Sequence, residues 1–397
     1  MAAVFLAPLY LAGCILFARS LSHIFSTAFP SFHRRSVSIL AAGIWGLGML
    51  SPLFSLLPAG FPGGPVLRRL GGLWLGFLLY AILSACVCAL VYAAGRSRCR
   101  CRRQFLRRLS LAGAAACAAA MALGYVQFAQ VQTTFYACPI AKSCPTGERL
   151  RVALVSDLHL GASTGCDHLQ KVVEQVNAAQ PDLVCLAGDI FDNSYDTLDD
   201  PARVGRLMGS FRSRLGTYAC LGNHDVAETT LAGFTFPSSS PPRADERMLD
   251  LLDDAGVHVL NDEAVCVNDA FYLVGRKDAK KPADGVPRAP VGELLQGLDP
   301  TLPILVLDHQ PRDLEEEAAA GADAVLSGHT HGGQLFPANL LMPLVWENPY
   351  GYRLINGMHS IVTSGAGAWG PPMRLGVGAE VAVVDFIFSD PGAQAAA

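Results

Sequence analysis

Arg151-Val-Ala-Leu-Val-Ser-Asp157-Leu-His159 decides how the second part of the chain is built. The apolar run is too short for a helix and ends in a carboxylate and an imidazole two residues apart, the reading of a buried strand that runs into a polar turn. The same texture returns four times. Asp182 to Asp189, Thr217 to Gly222, Pro303 to His309 and Ala324 to Gly328 each read as a buried strand closing on polar residues. Helical patterns fall between them, at Asp167 to Ala179, Pro201 to Leu215, Arg243 to Ala255 and Arg312 to Ala319. This order is α/β, and such folds gather chemistry at the carboxyl ends of their strands. Val265 to Val274 reads as a hairpin turned at Asn268-Asp269, and Pro237 to Pro242 as a surface loop.

Five polar clusters therefore carry the interest: Asp157-Leu-His159, Gly188-Asp189-Ile-Phe-Asp192, Gly222-Asn223-His224-Asp225, His309, and Gly328-His329-Thr-His331. Any one of them is an ordinary surface or core arrangement. All five at strand ends, in one chain, assemble carboxylate, imidazole and amide oxygen without thiolate, which is the donor mix of divalent Mn, Fe or Zn. The glycines before Asp189, Asn223 and His329 suit tight strand-to-loop turns. His168 and His258 read as packing or surface histidines, and Asp308 as pointing to the opposite strand face from His309.

The order D-x-H, GDxxD, GNHD, H, GHxH resembles the calcineurin-like metallophosphoesterase family over roughly Leu150 to Phe388, with every ligand position kept. Ser-Asp-Leu-His at the first block and Gly-His-Thr-His-Gly-Gly-Gln at the last are similar to the membrane-anchored bacterial branch of that family. The resemblance implies two β-sheets sandwiched between helices. It makes Asp157, His159 and His331 ligands of one metal, Asn223, His309 and His329 ligands of a second, and Asp189 a bridge. His224 would contact the phosphate oxygens and protonate the leaving group, with Asp192 orienting its ring. Two cations side by side acidify a water, align it against phosphorus and neutralise the non-bridging oxygens. Thr363 to Arg374 resembles the terminal substrate-side loop of this branch, and from it Arg374 could meet a phosphate.

The first part of the chain is of another kind. Of 397 residues 51% are hydrophobic, and no Asp or Glu precedes Glu148. All 34 acids lie from there onward against 17 of the 30 basic residues, a formal charge of −17 that repels nucleic acid and attracts cations. Four apolar runs reach the ~20 residues needed to cross a bilayer: Ala2 to Ala18, Val37 to Leu57, Leu70 to Ala94 and Leu109 to Val131. The expected organisation is a four-helix membrane region over 1–136, a linker over 137–149, the phosphoesterase domain over 150–390 and a tail over 391–397.

Seven arginines and no acid lie between Arg96 and Arg108, so the positive-inside bias puts that loop in the cytoplasm and everything after the fourth helix outside. Arg102-Arg103-Gln-Phe-Leu before a mildly apolar, Ala-rich segment resembles a twin-arginine export signal; the alternative is an arginine-rich stop-transfer flank. Cys138 and Cys144 lie just beyond, where an oxidising compartment could join them. Cys185 and Cys220, in strand-like runs, read as buried thiols.

The expected protein is a hydrolase with two divalent metals, Mn, Fe or Zn, cleaving a phosphoester or pyrophosphate bond on a cell-envelope or lipid-linked substrate at the outer face of a membrane. Two alternatives stand beside it. One is a membrane-localised phosphodiesterase for soluble nucleotides, and the other a non-catalytic membrane protein that binds a phosphorylated ligand. Retention of His224 disfavours the latter, since binding alone has less need of a proton donor.

Overall fold

Leu183-Val-Cys-Leu-Ala187 is buried at every position, and its side chains alternate between two cores: Leu183, Cys185 and Ala187 face one, Val184 and Leu186 the other. A strand covered on both faces has no solvent side to supply polar residues, which is why its sequence reads as an unbroken apolar run. In the computed structural model the described residues are a few positions between 10 and 50, then 51–57, 61–95, 101–228, 230–231, 234–235 and 241–390.

The chain forms two compact units. In the larger, the strands are β1 (Val131–Ile140), β2 (Arg149–Val155), β3 (Leu183–Ala187), β4 (Thr217–Cys220), β7 (Val257–Val259) and β14 (Ala379–Phe388), ordered β1-β14-β2-β3-β4-β7 in one sheet. A second sheet runs β12 (Gly351–Ile355), β13 (Met358–Val362), β11 (Ala324–Ser327), β10 (Ile304–Leu307), β9 (Phe271–Gly275), β8 (Glu263–Val267). The sheets share a core of Leu150, Val152, Leu154, Leu305, Leu307 and Leu326 among others, with Cys185 and Cys220 inside it as buried thiols. Helices α3 (Cys166–Ala178), α4 (Pro201–Met208) and α5 (Glu246–Asp254) cover the outer face of the first sheet, while α6 (Val291–Leu295) and α7 (Leu314–Ala319) cover the second. The layers are helix, sheet, sheet, helix, as the family resemblance implied.

Strands β2, β3, β4 and β7 are mutually parallel, as are β9, β10, β11 and β13. The hairpin β8–β9 turns at Asn268 and Asp269, both with positive φ, the conformation that two-residue hairpin turns require. Helix α4 stops at Met208, well short of Leu215.

The sheet begins earlier than the sequence reading placed it. Val131–Ile140, divided above between a helix end and a linker, is edge strand β1, paired in parallel register with β14 over ten residues. Its partner is some 250 residues away, so no local pattern announces it. Cys138, on this strand, points into the core, and both it and Cys144 are free thiols, the latter hydrogen-bonded to Ala270 O.

The smaller unit holds α1 (Gly64–Gly95) and most of α2 (Arg102–Ala129), with a two-stranded sheet of β5 (Thr230–Leu231) and β6 (Phe234–Thr235). Among the described residues these two helices are the ones long and apolar enough to span a membrane, where four were expected. They correspond to the third and fourth runs. Ala2 to Ala18 lies almost wholly outside the described residues, as do residues 96–100 and the tail over 391–397. Within Val37 to Leu57 the described positions are helical to Leu50 and then form a 3-10 turn, Ser51–Leu56. Cys14, Trp45 and Leu78 nevertheless pack together with Trp74 and Phe77, so segments of the first three runs touch.

Candidate active site

Asp157 and His159 follow β2, Asp189 and Asp192 follow β3, and Asn223 and His224 follow β4, while His309 and His329/His331 follow β10 and β11 of the other sheet. The carboxyl ends of five parallel strands from two sheets thus meet at one place. Backbone conformation aims the side chains: Asp157, His159, Asp189, His329 and His331 all have φ between 44° and 69°. Left-handed backbone costs a non-glycine residue about 1 kcal/mol or more and concentrates at functional sites. Gly188 also has positive φ, 79°, and a Cβ there would stand 2.6 Å from His309 Nδ1. Gly222 serves differently: a side chain on it would collide with Asp189 Oδ1, so close approach rather than dihedral freedom demands glycine.

Three groups of donor atoms lie within 4.8 Å of one another: Asp157, His159 and His331; Asp189, His309 and His329; and His159, Asp192 and His224. The first two are the sets anticipated from the sequence, apart from Asn223. Asp189 Oδ2 stands between them, 3.2 Å from His309 Nε2 and 3.7 Å from His159 Nε2. His331 Nε2 is 3.3 Å from Asp157 Oδ1 and 3.2 Å from His159 Nε2, and His329 Nδ1 is 3.2 Å from His309 Nε2.

Three features test whether these residues suit divalent cations. Asn223 Oδ1 is buried without a hydrogen-bond partner, a costly state for an amide oxygen unless something else satisfies it. His309 Nδ1 donates to Ala187 O at 2.8 Å, which fixes the ring and leaves Nε2 as the ligating nitrogen. Burial opposes charge on His309, yet Asp189 and Asp157 hold its pKa well above the usual histidine value, the mark of a spot that favours a cation. By contrast, burial and the neighbouring His309 push His329 down to about 3, and burial, His159 and Arg374 keep His331 well below its ordinary value. Both are neutral imidazoles, the form that binds metal. The donor set fits.

The loops brace one another. Asp157 accepts the His329 amide at 3.0 Å, Asp189 Oδ1 accepts the His224 amide at 2.7 Å, and Ser156 Oγ donates to Ala187 O at 2.8 Å. Asp225, the last residue of its block, accepts amides from Phe191 and Gly222, both at 2.8 Å, and so ties the loop after β3 to the loop after β4. This bracing role was not read from the sequence.

His224 differs in its partner from the expectation. Its Nδ1 donates to Asn193 Oδ1 at 2.6 Å, whereas Asp192 Oδ1 is 3.5 Å from it and 3.6 Å from His159 Nδ1. Asn193 adopts φ 62° directly after the GDxxD block, and the single residue of offset is invisible without the backbone. Burial would raise the Asp192 carboxyl, but His159 and His224 together hold it below the usual range, so it is an anion facing both rings.

Arg374 is not a phosphate contact. It is wholly buried: Nε donates to Gly367 O at 2.7 Å, and Nη2 lies 3.3 Å from His331 Nδ1, behind that ring. Burial pushes its pKa down to about 10. His168 is a packing residue, stacked 4.4 Å from Phe128 with Nε2 2.7 Å from Ala366 O. Asp308 turns away from the site, as expected, to Arg276 and Arg288 at 3.0 and 2.8 Å. Two tryptophans, unremarked in the sequence, flank the centre: Trp346, 5.1 Å from His329, and Trp369, 6.4 Å from His224.

The profile of the calcineurin-like phosphoesterase family matches residues 150–333. A metallophosphoesterase of Aquifex aeolicus is 32% identical over 235 residues, 58% of this chain and 82% of its own length. The chain belongs to the calcineurin-like phosphoesterases. A transmembrane protein with metallophosphoesterase domain from Danio rerio is 32% identical over 259 residues, 61% of this chain. The match covers 54% of that relative's length. UDP-2,3-diacylglucosamine pyrophosphatase LpxG of Chlamydia trachomatis is 26% identical over 219 residues, 47% of this chain and 64% of the enzyme. Membership in this phosphoesterase family implies hydrolysis and divalent metal, and the strand-end carboxylates and imidazoles supply the donors.

Proposed function

We propose that this phosphoesterase works with two divalent cations on a lipid-linked phosphoester or pyrophosphate, while held in a membrane. Asp157, His159 and His331 would hold one ion, Asn223, His309 and His329 the other, with Asp189 shared. The observation that carries the reading is the position of Asp189 Oδ2 between His159 Nε2 and His309 Nε2. When bound, the ions supply Lewis acidity and charge neutralisation at phosphorus. The chain's own contributions are the neutral amide oxygen of Asn223, which keeps the site positive enough for an anion, and His224, whose fixed Nδ1–H leaves Nε2 as the nitrogen that exchanges a proton with the leaving group.

Two membrane-length helices and the similarity to an enzyme named for a diacylated nucleotide sugar support a lipid-linked substrate. The seven arginines from Arg96 to Arg108, just before and within the first turns of α2, support a cytoplasmic start and an outward-facing domain. Arg102 and Arg103 form the first turn of α2, and their recognition by a twin-arginine export machinery is part of the same proposal.

The test is metal-stripped full-length protein in detergent, reloaded in turn with Mn, Fe and Zn and assayed on phosphomonoesters, diesters, nucleoside-diphosphate lipids and polyprenyl pyrophosphates. Two equivalents of bound metal and preferential cleavage of a lipid-linked substrate are expected. Full activity with one equivalent would defeat the two-metal reading, and preference for soluble nucleotides would defeat the lipid one.

A further inference from the structure

Between the last metal-site histidine and Trp346 the chain makes an excursion that the proposed chemistry does not use. Leu335-Phe-Pro-Ala-Asn-Leu-Leu-Met-Pro-Leu-Val-Trp346 contains no charged residue. It folds as two short 3-10 turns, Ala338–Leu340 and Met342–Leu344. Leu340, Leu341, Leu344 and Val345 are 64%, 57%, 82% and 64% exposed, four large aliphatic side chains within six residues. Leaving such side chains in water forgoes the free energy of burying them, so an exposed run of this kind marks an interaction surface.

We infer that this lobe seats the phosphoesterase domain on a lipid bilayer, next to the metal site. Three observations select lipid as the occupant. The lobe carries one polar side chain, Asn339, whereas a protein interface needs a hydrogen-bonding group about every 100–200 Å². Its end is an interfacial anchor: Arg312 lies over the Trp346 ring at 4.3 Å, an amphipathic pair that suits the headgroup level. The chain also brings its own bilayer: α2 ends at Ala129 and β1 begins at Val131, so one residue of linker, about 3–4 Å of reach, separates a membrane-length helix from the domain. The lobe leaves from His331-Gly-Gly and returns at Trp346 against His329, so lipid seated on it would present headgroup phosphorus beside the histidines. The inference rests on the membrane reading of the chain and stands whatever the substrate is.

The experiment uses the full-length protein in nanodiscs made with ordinary or bromine-labelled phosphatidylcholine. L344W should add a blue-shifted emission that bromolipid quenches, beyond the quenching of the parent's own tryptophans. Added emission at the wavelength of tryptophan in water, unquenched, would overturn the inference. Blue-shifted but unquenched emission that grows with protein per disc would overturn it in favour of a second copy of the chain. A double variant, L341E with L344E, should lose about tenfold in turnover of a phosphoester embedded in vesicles. It should keep the parent's rate on soluble bis(4-nitrophenyl) phosphate. Equal losses on both substrates would count against docking. If the parent cleaves neither, the hydrolase reading fails, and the L344W quenching still decides where the lobe sits.

Discussion

The imidazole of His224 and the amide of Asn193 form a 2.6 Å hydrogen bond, and Asn193 is itself held by donating its Nδ2–H to Val226 O at 3.1 Å. A ring fixed through Nδ1 can deliver a proton only from Nε2. His224→Ala should therefore keep both metals and lose about 10²-fold or more in rate, the usual scale for an acid catalyst. The loss should be smaller for nitrophenyl than for alkyl esters. Asn193→Ala should show the same leaving-group pattern at about a tenth of the parent rate. Metal analysis beside initial rates on the two ester classes checks both; equal losses across leaving groups would remove His224 from the role of proton donor.

Asp189→Asn should abolish turnover and lower metal content by more than one equivalent, since Oδ2 lies beside a histidine of each group. Retained activity in a folded Asp189→Asn protein would sink the two-metal proposal. The folded state can be verified independently from the thermal transition.

Arg151 and Asp385 are register partners on antiparallel β2 and β14, joined by two hydrogen bonds of 2.8 Å, Nε to Oδ1 and Nη2 to Oδ2. The Arg151 hydrogen bond holds the Asp385 carboxyl below its ordinary range. A depressed carboxylate contributes stability above its unfolded value, near ~4, and loses it as the pH falls through the folded value. Arg151→Ala should cost about 1 kcal/mol at pH 7. The difference in Tm from the parent should narrow as the pH falls below that unfolded value. A difference that persists unchanged in acid would show that the cost is packing, not charge.

Topology and export separate in one pair of proteins. Arg102→Lys with Arg103→Lys keeps the charge that would orient α2 and removes only the pair that an export receptor would read. In intact spheroplasts treated with protease, the parent domain should be digested and the double variant protected. Digestion of both would leave the outward topology and remove the export signal, and protection of both would overturn the topology.

The strand ends were legible because each is a short, mostly apolar run closing on Asp, Asn or His, and two-sided burial writes that pattern directly into the residues. Asp157, His159, Asp189, His309, His329 and His331 come together as their order in the chain suggested. Three other features depend on partners far away. Strand β1 mixes Gln, Thr and Tyr with apolar residues in no regular period and gains its identity only from β14. Arg374, on a glycine-rich loop, reads as a residue that could meet a phosphate until the loop folds over it. Asn193 directly follows Asp192 in the chain, and a left-handed turn decides which of them holds His224.

That left-handed backbone has a consequence for how the site can change over evolutionary time. Asp, Asn and His are the residues besides glycine that most often occupy positive φ, and they are also the oxygen and nitrogen donors that divalent cations accept. At Asp157, His159, Asp189, His329 and His331 the dihedral angles and the coordination chemistry therefore draw on the same small alphabet. Drift away from catalysis would meet the least steric resistance along Asp→Asn and His→Asn, so a lineage that lost the activity would keep the outline of these turns while surrendering the charge, and resemblance in shape alone would overstate how many of its descendants still hydrolyse anything.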